Sequence, residues 1–380
     1  MHTSKFVRSA FITIALIVGS ILLLTSSLAW ASFPGKNGRI VFVANSGGSW
    51  QLYTIKSDGT DMVQLTNLAA TSLDSWSPSF SPDGMQIAFN YGPVDASGNP
   101  HPDLYVINAD GTGLTQLTHD GRSQVPRWSP DGSRLIFARQ STLTGETVVT
   151  VMRADGTGEK TSLTSDFWTS YVDSYTPDGR INFDSQMGGL ISAEWIMNGD
   201  GTGKTRLTAP RLEGGVSDVS PDGRHIVLNS HDNSALFPAI FVMNLDGSNL
   251  HQVSFPPDGA VDVFPSYSPD GTKIVFASSR IDPGSIDLYI MNTDGSGITV
   301  LATGLTVGGC PDGNCVDPSW GPEPKGDSIA ERNSLTDLIS FSDPQRTKRC
   351  LGQGMECRPG TMCCPGLVCA AASTRAFCQQ

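Results

Sequence analysis

The first 309 residues contain no cysteine; all eight lie between Cys310 and Cys378. An even, clustered set reads as disulfides in an exported chain, with the bridges confined to that end. Histidine is also scarce, with six in 380 residues, and His101, His119, His225, His231 and His251 show no ligand spacing. No Gly-x-Ser-x-Gly elbow, His-Glu-x-x-His helix or phosphate-binding glycine loop occurs, which removes the common hydrolase, metalloprotease and nucleotide-binding signatures. Basic side chains are few. Between residues 32 and 345 there are 18 Lys and Arg against 36 Asp and Glu, a surface that repels phosphate backbones and excludes nucleic acid as a partner.

Long apolar runs are missing after residue 31. Before it, Lys5 and Arg8 precede an apolar stretch from Ala10 to Leu24, and Ala29-Trp30-Ala31 supplies a small-x-small cleavage pattern. The expectation is a signal peptide over 1–31, a mature start at Ser32 and no stable membrane insertion after cleavage. An uncleaved anchor is the alternative, but the run is shorter than the ~20 residues a spanning helix needs. The location implied is secreted or extracytoplasmic, meaning the cell envelope or periplasm in a bacterium.

What the sequence has in abundance is turn residues, 41 Gly and 24 Pro, and these recur with a period. Pro-Asp-Gly preceded by Ser or Thr begins at Pro82, Pro130, Pro177, Pro221 and Pro269. Asp-Gly followed by Thr or Ser begins at Asp58, Asp110, Asp155, Asp200, Asp246 and Asp294. Ser-Pro-Asp-Gly suits a type I turn, and Asp-Gly suits the I′ turn of a tight hairpin. Between them lie short β-branched and aromatic runs such as Leu104-Tyr105-Val106-Ile107. One repeat is a four-stranded meander of roughly 45 residues, and meanders that cannot bury both faces alone must stack around an axis. The fold class predicted is all-β, a six-bladed β-propeller. The first repeat lacks its opening strand, and Asp317-Pro318-Ser319-Trp320-Gly321 follows the sixth, so Velcro-type ring closure by that tail strand is expected.

The succession of aromatic, Ser-Pro-Asp-Gly, apolar strand, Asp-Leu-Tyr-Val and Asp-Gly-Thr with Leu-Thr resembles the TolB-like, WD-like propeller repeat, across residues 33–321. The fifth unit departs from it, with Val219 where the others place an aromatic. The domain layout read from the sequence is a propeller over 32–321, a polar linker over 322–349 and a cystine-knot-like module over 350–380. The linker ends in Arg346-Thr347-Lys348-Arg349, which resembles a dibasic processing site, although a solvated basic tether is the reading preferred.

Residues 350–378 follow C-x6-C-x5-C-C-x4-C-x8-C, which is similar to the inhibitor cystine knot, or knottin. Six cysteines allow 15 pairings. The resemblance implies Cys350 with Cys364, Cys357 with Cys369 and Cys363 with Cys378. A local Cys310–Cys315 bridge is expected before the closing strand.

Candidate binding residues come from the segments that lead into the first strand of each repeat. Asp74, Asp173, Asp218, Asp262 and Asp317 would converge near the central channel and hold a divalent cation there; turn and capping hydrogen bonds are the other use of such residues. No cofactor is otherwise expected. Trp76, Phe167, Trp168, Tyr171 and Phe264 enter the same face, and aromatics beside carboxylates suit a peptide, protein or glycan. The function read from these residues is a non-catalytic binding or scaffold protein. The alternatives are a hydrolase or lyase using the channel carboxylates with a metal, and a C-terminal knot acting as a protease inhibitor or toxin-like effector.

Overall fold

The computed structural model describes residues 34–45, 50–68, 77–92, 101–165, 167–186, 192–209, 216–230, 237–282, 284–306 and 316–324, together with the backbone of three strands beyond residue 355. The chain divides into two units, residues 1–326 and 327–380. Among the described residues, no helix is long and apolar enough to cross a membrane.

The first unit is a six-bladed propeller of four-stranded antiparallel sheets. Blade 1 orders Ser319–Pro322, Asn37–Ala44, Gln51–Ile55 and Val63–Gln64 from the inside outward. Blade 2 is Ser79–Phe80, Gln86–Tyr91, Asp103–Asn108 and Thr115–Gln116, and blade 3 is Ser123–Trp128, Arg134–Gln140, Thr147–Arg153 and Thr161–Ser162. Blade 4 follows with Ser170–Tyr175, Ile181–Ser185, Ala193–Met197 and Thr205–Arg206, and blade 5 with Ser217–Val219, His225–Ser230, Ala239–Asn244 and His251–Gln252. Blade 6 comprises Asp262–Tyr267, Lys273–Ser278, Asp287–Asn292 and Thr299–Ala302. Each inner strand touches the inner strands of both neighbouring blades around the whole ring.

The second strand of each blade is buried on both faces, as a sheet covered by neighbours must be. At one position of that strand stand Phe42, Phe89, Phe137, Phe183, Leu228 and Phe276, all fully buried. Four of them stack on an aromatic of the third strand: Phe42 on Tyr53, Phe89 on Tyr105, Phe183 on Trp195 and Phe276 on Tyr289, with ring centroids 5.7 to 6.5 Å apart. Such pairs contribute about 0.5–1.5 kcal/mol beyond the area they bury.

Both turn signals fold as hydrogen-bonded loops. In Ser-Pro-Asp-Gly, Ser81 Oγ and the Met85 N–H donate to Asp83 Oδ1 at 2.6 and 3.0 Å, and the Gly84 N–H closes the turn on the Ser81 carbonyl at 2.9 Å. The Asp-Gly element differs from the I′ turn expected. The Gly111 N–H bonds to the Asn108 carbonyl at 2.8 Å, and Gly111 takes φ +85° while Asp110 keeps φ negative. A I′ turn needs positive φ at both central residues; here a single left-handed glycine follows an ordinary turn and makes a bulged three-residue connection. The carboxylate decides this, because Asp110 Oδ1 accepts from the Thr112 N–H and hydroxyl at 2.9 and 2.6 Å.

The second unit holds a three-stranded antiparallel sheet in the order Glu356–Cys357, Arg375–Gln379, Val368–Ala372, with Cys369 opposite Cys378 in register. The side chains of Cys350, Cys357, Cys363, Cys364, Cys369 and Cys378, and residues Cys310 and Cys315 altogether, lie outside the described residues.

Candidate functional site

The propeller axis is lined by the inner strands, and the repeat places one residue of each at the same height, immediately before the aromatic of the Ser-Pro-Asp-Gly pattern. These are Ser319, Ser79, Arg127, Ser174, Asp218 and Ser266 from blades 1 to 6. Together with Asp173, Ser217 and Asp317 they line a cavity of about 70 Å³ at the centre of the ring. The six ring positions themselves hold four hydroxyls, one cation and one anion, and Trp128, Tyr175, Tyr267 and Trp320 line the same cavity.

Backbone irregularity shapes this ring. The inner strands of blades 3, 4 and 6 lose register with their neighbours between Gln124 and Arg127, Val172 and Ser174, and Val263 and Ser266. At two of these bulges Val125 and Phe264 take φ +54°, a conformation that costs a bulky residue of order 1–3 kcal/mol. The preceding blade supplies compensation, since Asn90 Oδ1 accepts from the Val125 N–H at 3.0 Å and Asn229 Oδ1 from the Phe264 N–H at 3.2 Å. A bulge turns a side chain away from the strand's alternation, and here Phe264 enters the apolar core and Val125 packs against the apolar residues of blades 3 and 4.

Arg127 is the single cation of the ring. Its Nε donates to the Asp173 carbonyl at 2.8 Å and its Nη1 to the carbonyls of Pro126 and Ser77 at 3.0 and 3.3 Å. The guanidinium is thus fixed by backbone, and its charge acts on the carboxylates at longer range. Burial pushes Asp218 up to about 6, opposed by the Tyr267 N–H at 2.9 Å, by Arg127 and by the Ser266 hydroxyl at 3.2 Å. Asp317 is raised by burial and held back by Arg127 and Ser77. Asp173 is raised well above the usual range by burial and by repulsion from Asp184, and its Oδ2 is buried without a partner.

Of the residues chosen from sequence, Asp173, Asp218 and Asp317 meet at the cavity. Asp262 does not. It is fully buried in an ion pair with Arg280, whose Nε donates to Asp262 Oδ1 at 3.0 Å, and it also accepts from Ser278 Oγ at 2.7 Å. Phe264 belongs to the apolar core with Phe42, Trp50 and Leu288, because the bulge turns its ring inward. Phe167, Trp168 and Tyr171 are 80%, 39% and 42% exposed around the entry to blade 4 and do not line the cavity. Asp74 and Trp76 lie outside the described residues. Arg127 and the ring serines were missed, although aligning the six repeats on Ser-Pro-Asp-Gly marks their position.

The family model described as the TolB beta propeller domain matches residues 24–219, just over half of the chain. This chain belongs to the TolB β-propeller family. Among its relatives in sequence, an uncharacterized protein of Agrobacterium fabrum is 27% identical over 67% of this chain and 82% of that one. The Tol-Pal system protein TolB of Francisella tularensis is 27% identical over 64% of this chain, and the match spans 54% of that relative; this TolB-type chain therefore covers about half the length of such a TolB. In structure it is similar to TolB from Acinetobacter baumannii, with a TM-score of 0.61 and 23% identity over 77% of this chain and 69% of that one. At that identity the likeness concerns the fold.

The titrations have a sign. Asp184 is pushed up to about 7 and Asp218 to about 6 by burial, above the ~3.9 of an unfolded aspartate. The folded propeller then binds more protons than the unfolded chain between about pH 4 and 7, so stability falls as pH rises through that window. Asp120 acts in the opposite direction at lower pH. Burial raises it, but Arg139 and Lys160 outweigh that and bring it to about 2, so its contribution is lost as pH falls through 2. The unfolding midpoint is expected to be higher at pH 5 than at pH 8, with a shallower slope in Asp218→Asn; a wild-type midpoint that climbs from pH 5 to 8 would contradict the assignment.

Proposed function

We propose that this chain is an extracytoplasmic, non-catalytic binding protein whose channel mouth engages an extended peptide segment of a protein partner. The observation that carries the reading is the ring of Ser319, Ser79, Arg127, Ser174, Asp218 and Ser266, one residue from each blade around a single cavity. Small hydroxyls with one fixed cation and one anion match the donors and acceptors of a peptide backbone, and a rigid closed scaffold presents them without an ordering cost. The Francisella relative is named as a Tol-Pal system protein, and a component of a system acts with other components. A glycan is the competing occupant of the same mouth.

Three finer readings accompany this one. The pairing of Trp320 with Ile40 and Ser319 with Val41 supports Ser319–Pro322 as the clasp of the ring, since it gives blade 1 its inner strand from the far end of the chain. The N-terminal pattern ending at Ala31 supports export. The sheet of Glu356–Cys357, Arg375–Gln379 and Val368–Ala372 supports a disulfide-stapled module at 350–380, because so short a segment has too little core to hold a sheet unaided.

Peptides selected from a random display library on the mature protein are expected to bind with Kd on the order of 1–100 μM, and Ser266→Trp, which fills the mouth, to weaken them at least about tenfold. Selected peptides that ignore Ser266→Trp would remove the channel as the site. For the clasp, a chain ending at Gly326 should melt like the full chain, whereas one ending at Cys315 should lose cooperative unfolding; equal melting of the two would refute it. Intact mass of the exported protein should begin at Ser32 and lie eight hydrogens below the reduced form, given eight cysteines; a retained leader or free thiols would overturn export or bridging respectively.

A further inference from the structure

The six blades repeat one pattern, so each position in a blade has five internal controls. In the third strand one fully buried position holds Leu52, Leu104, Val149, Ile240 and Leu288, and blade 4 puts Glu194 there. In the second strand Val41, Ala88, Ile136, Val227 and Val275 occupy another fully buried position, which in blade 4 is Asn182. Glu194 stands directly across from Asp184 in strand register, an arrangement in which like charges repel. Where five blades take the cheap apolar choice, blade 4 buries a carboxylate and an amide, a substitution that costs several kcal/mol unless something compensates it.

The compensation within the protein is incomplete. Asn182 Nδ2 lies 2.6 Å from Ser217 Oγ and 3.2 Å from Glu194 Oε2, and Ser217 Oγ is 3.3 Å from the same Glu194 oxygen. The Ser217 N–H donates to Asp173 Oδ1 at 3.3 Å. Left over in this cluster are three buried acceptors without a partner among the described residues, Asp173 Oδ2, Asn182 Oδ1 and Glu194 Oε1. All are oxygens, and the group that would satisfy them must be positively charged or a donor.

Among the described residues, no three acidic, histidine or cysteine side chains stand close enough to enclose a metal by themselves. The set in blade 4 is a mixed one of two carboxylates, an amide and a hydroxyl. Asn182, Ser217 and Glu194 are gathered within hydrogen-bond distance of one another, and Asp173 joins them through the Ser217 N–H, so the oxygens that hard cations prefer are concentrated in one buried place. Turning the Asn182 amide over exchanges its oxygen and nitrogen without changing its shape. We propose that the wall of blade 4 is a buried site for a hard divalent cation of the calcium class, ligated by Asp173, Glu194, the Asn182 amide oxygen and the Ser217 hydroxyl. Two carboxylates balance its charge, and Asp184 stands behind them. Asp173 and Ser217 also line the central cavity, whereas Asn182 and Glu194 lie behind it in the wall of blade 4, and the cation reading does not depend on the peptide reading.

The test uses the full chain, freed of metal by chelator and dialysis, with calcium chloride as the probe. Calcium at a hundredfold excess over its Kd should raise the wild-type unfolding midpoint by about 5 °C. Glu194→Leu restores the residue type of the other blades; without metal it should be more stable than the wild type, and its response to calcium should vanish. Asn182→Val should weaken the response without unfolding the chain. A midpoint that calcium leaves unchanged in the wild type, or moves equally in Glu194→Leu, overturns the proposal. If acidification alone stabilises the wild type and not Glu194→Leu, the site holds protons instead of a metal.

Discussion

The second strand of every blade is buried on both faces, so each blade depends on a neighbour on each side. Phe42, Phe89, Phe137, Phe183 and Phe276 are fully buried because the blades on either side cover the sheets in which they lie. Much else follows from this demand for mutual cover. The inner strands must touch in a closed circle, their bulges must be held by a neighbour's side chain, and the residues that meet at the centre come from blades far apart in sequence.

Polar groups that enter this arrangement meet different fates according to depth. At the outer turns, Asp110 and its counterparts Asp58, Asp155, Asp200, Asp246 and Asp294 accept hydrogen bonds in water, and their carboxyls are held below the usual range by the Thr or Ser two residues on. At the axis, Asp218 and Asp317 are raised by burial although Arg127 is near. In the wall of blade 4, Glu194 and Asp173 have acceptors that no described residue satisfies. The carboxylates that recur in the pattern are structural, whereas those that break it carry the unmet chemistry.

The fold was legible because its signals are local and repeated. Ser-Pro-Asp-Gly and Asp-Gly-Thr mark turns whatever surrounds them, and alternation between them marks strands. The site was legible only in part. Asp173, Asp218 and Asp317 were found by their place near the start of each repeat, the first two lying within the inner strands, but Asp262 at the start of its strand is taken by Arg280. Phe264 looked like a surface aromatic until its positive φ carried the ring into the core. Arg127 gives no signal as a single residue, and Glu194 reads as an ordinary strand residue unless the blades are set side by side.

The sequence by itself determined the number of blades, the turns that bound their strands and the apolar positions that stack them, since each depends on neighbours a few residues away or on a period. Only the tertiary structure decided which polar residues share an environment. The Asn182 amide and the Ser217 hydroxyl are 35 residues apart, and Arg127 reaches Asp173 across 46. No periodicity encodes those meetings. They arise where adjacent blades press together, and there the low polarity of the surroundings, rather than the residue type, sets what each carboxylate can do.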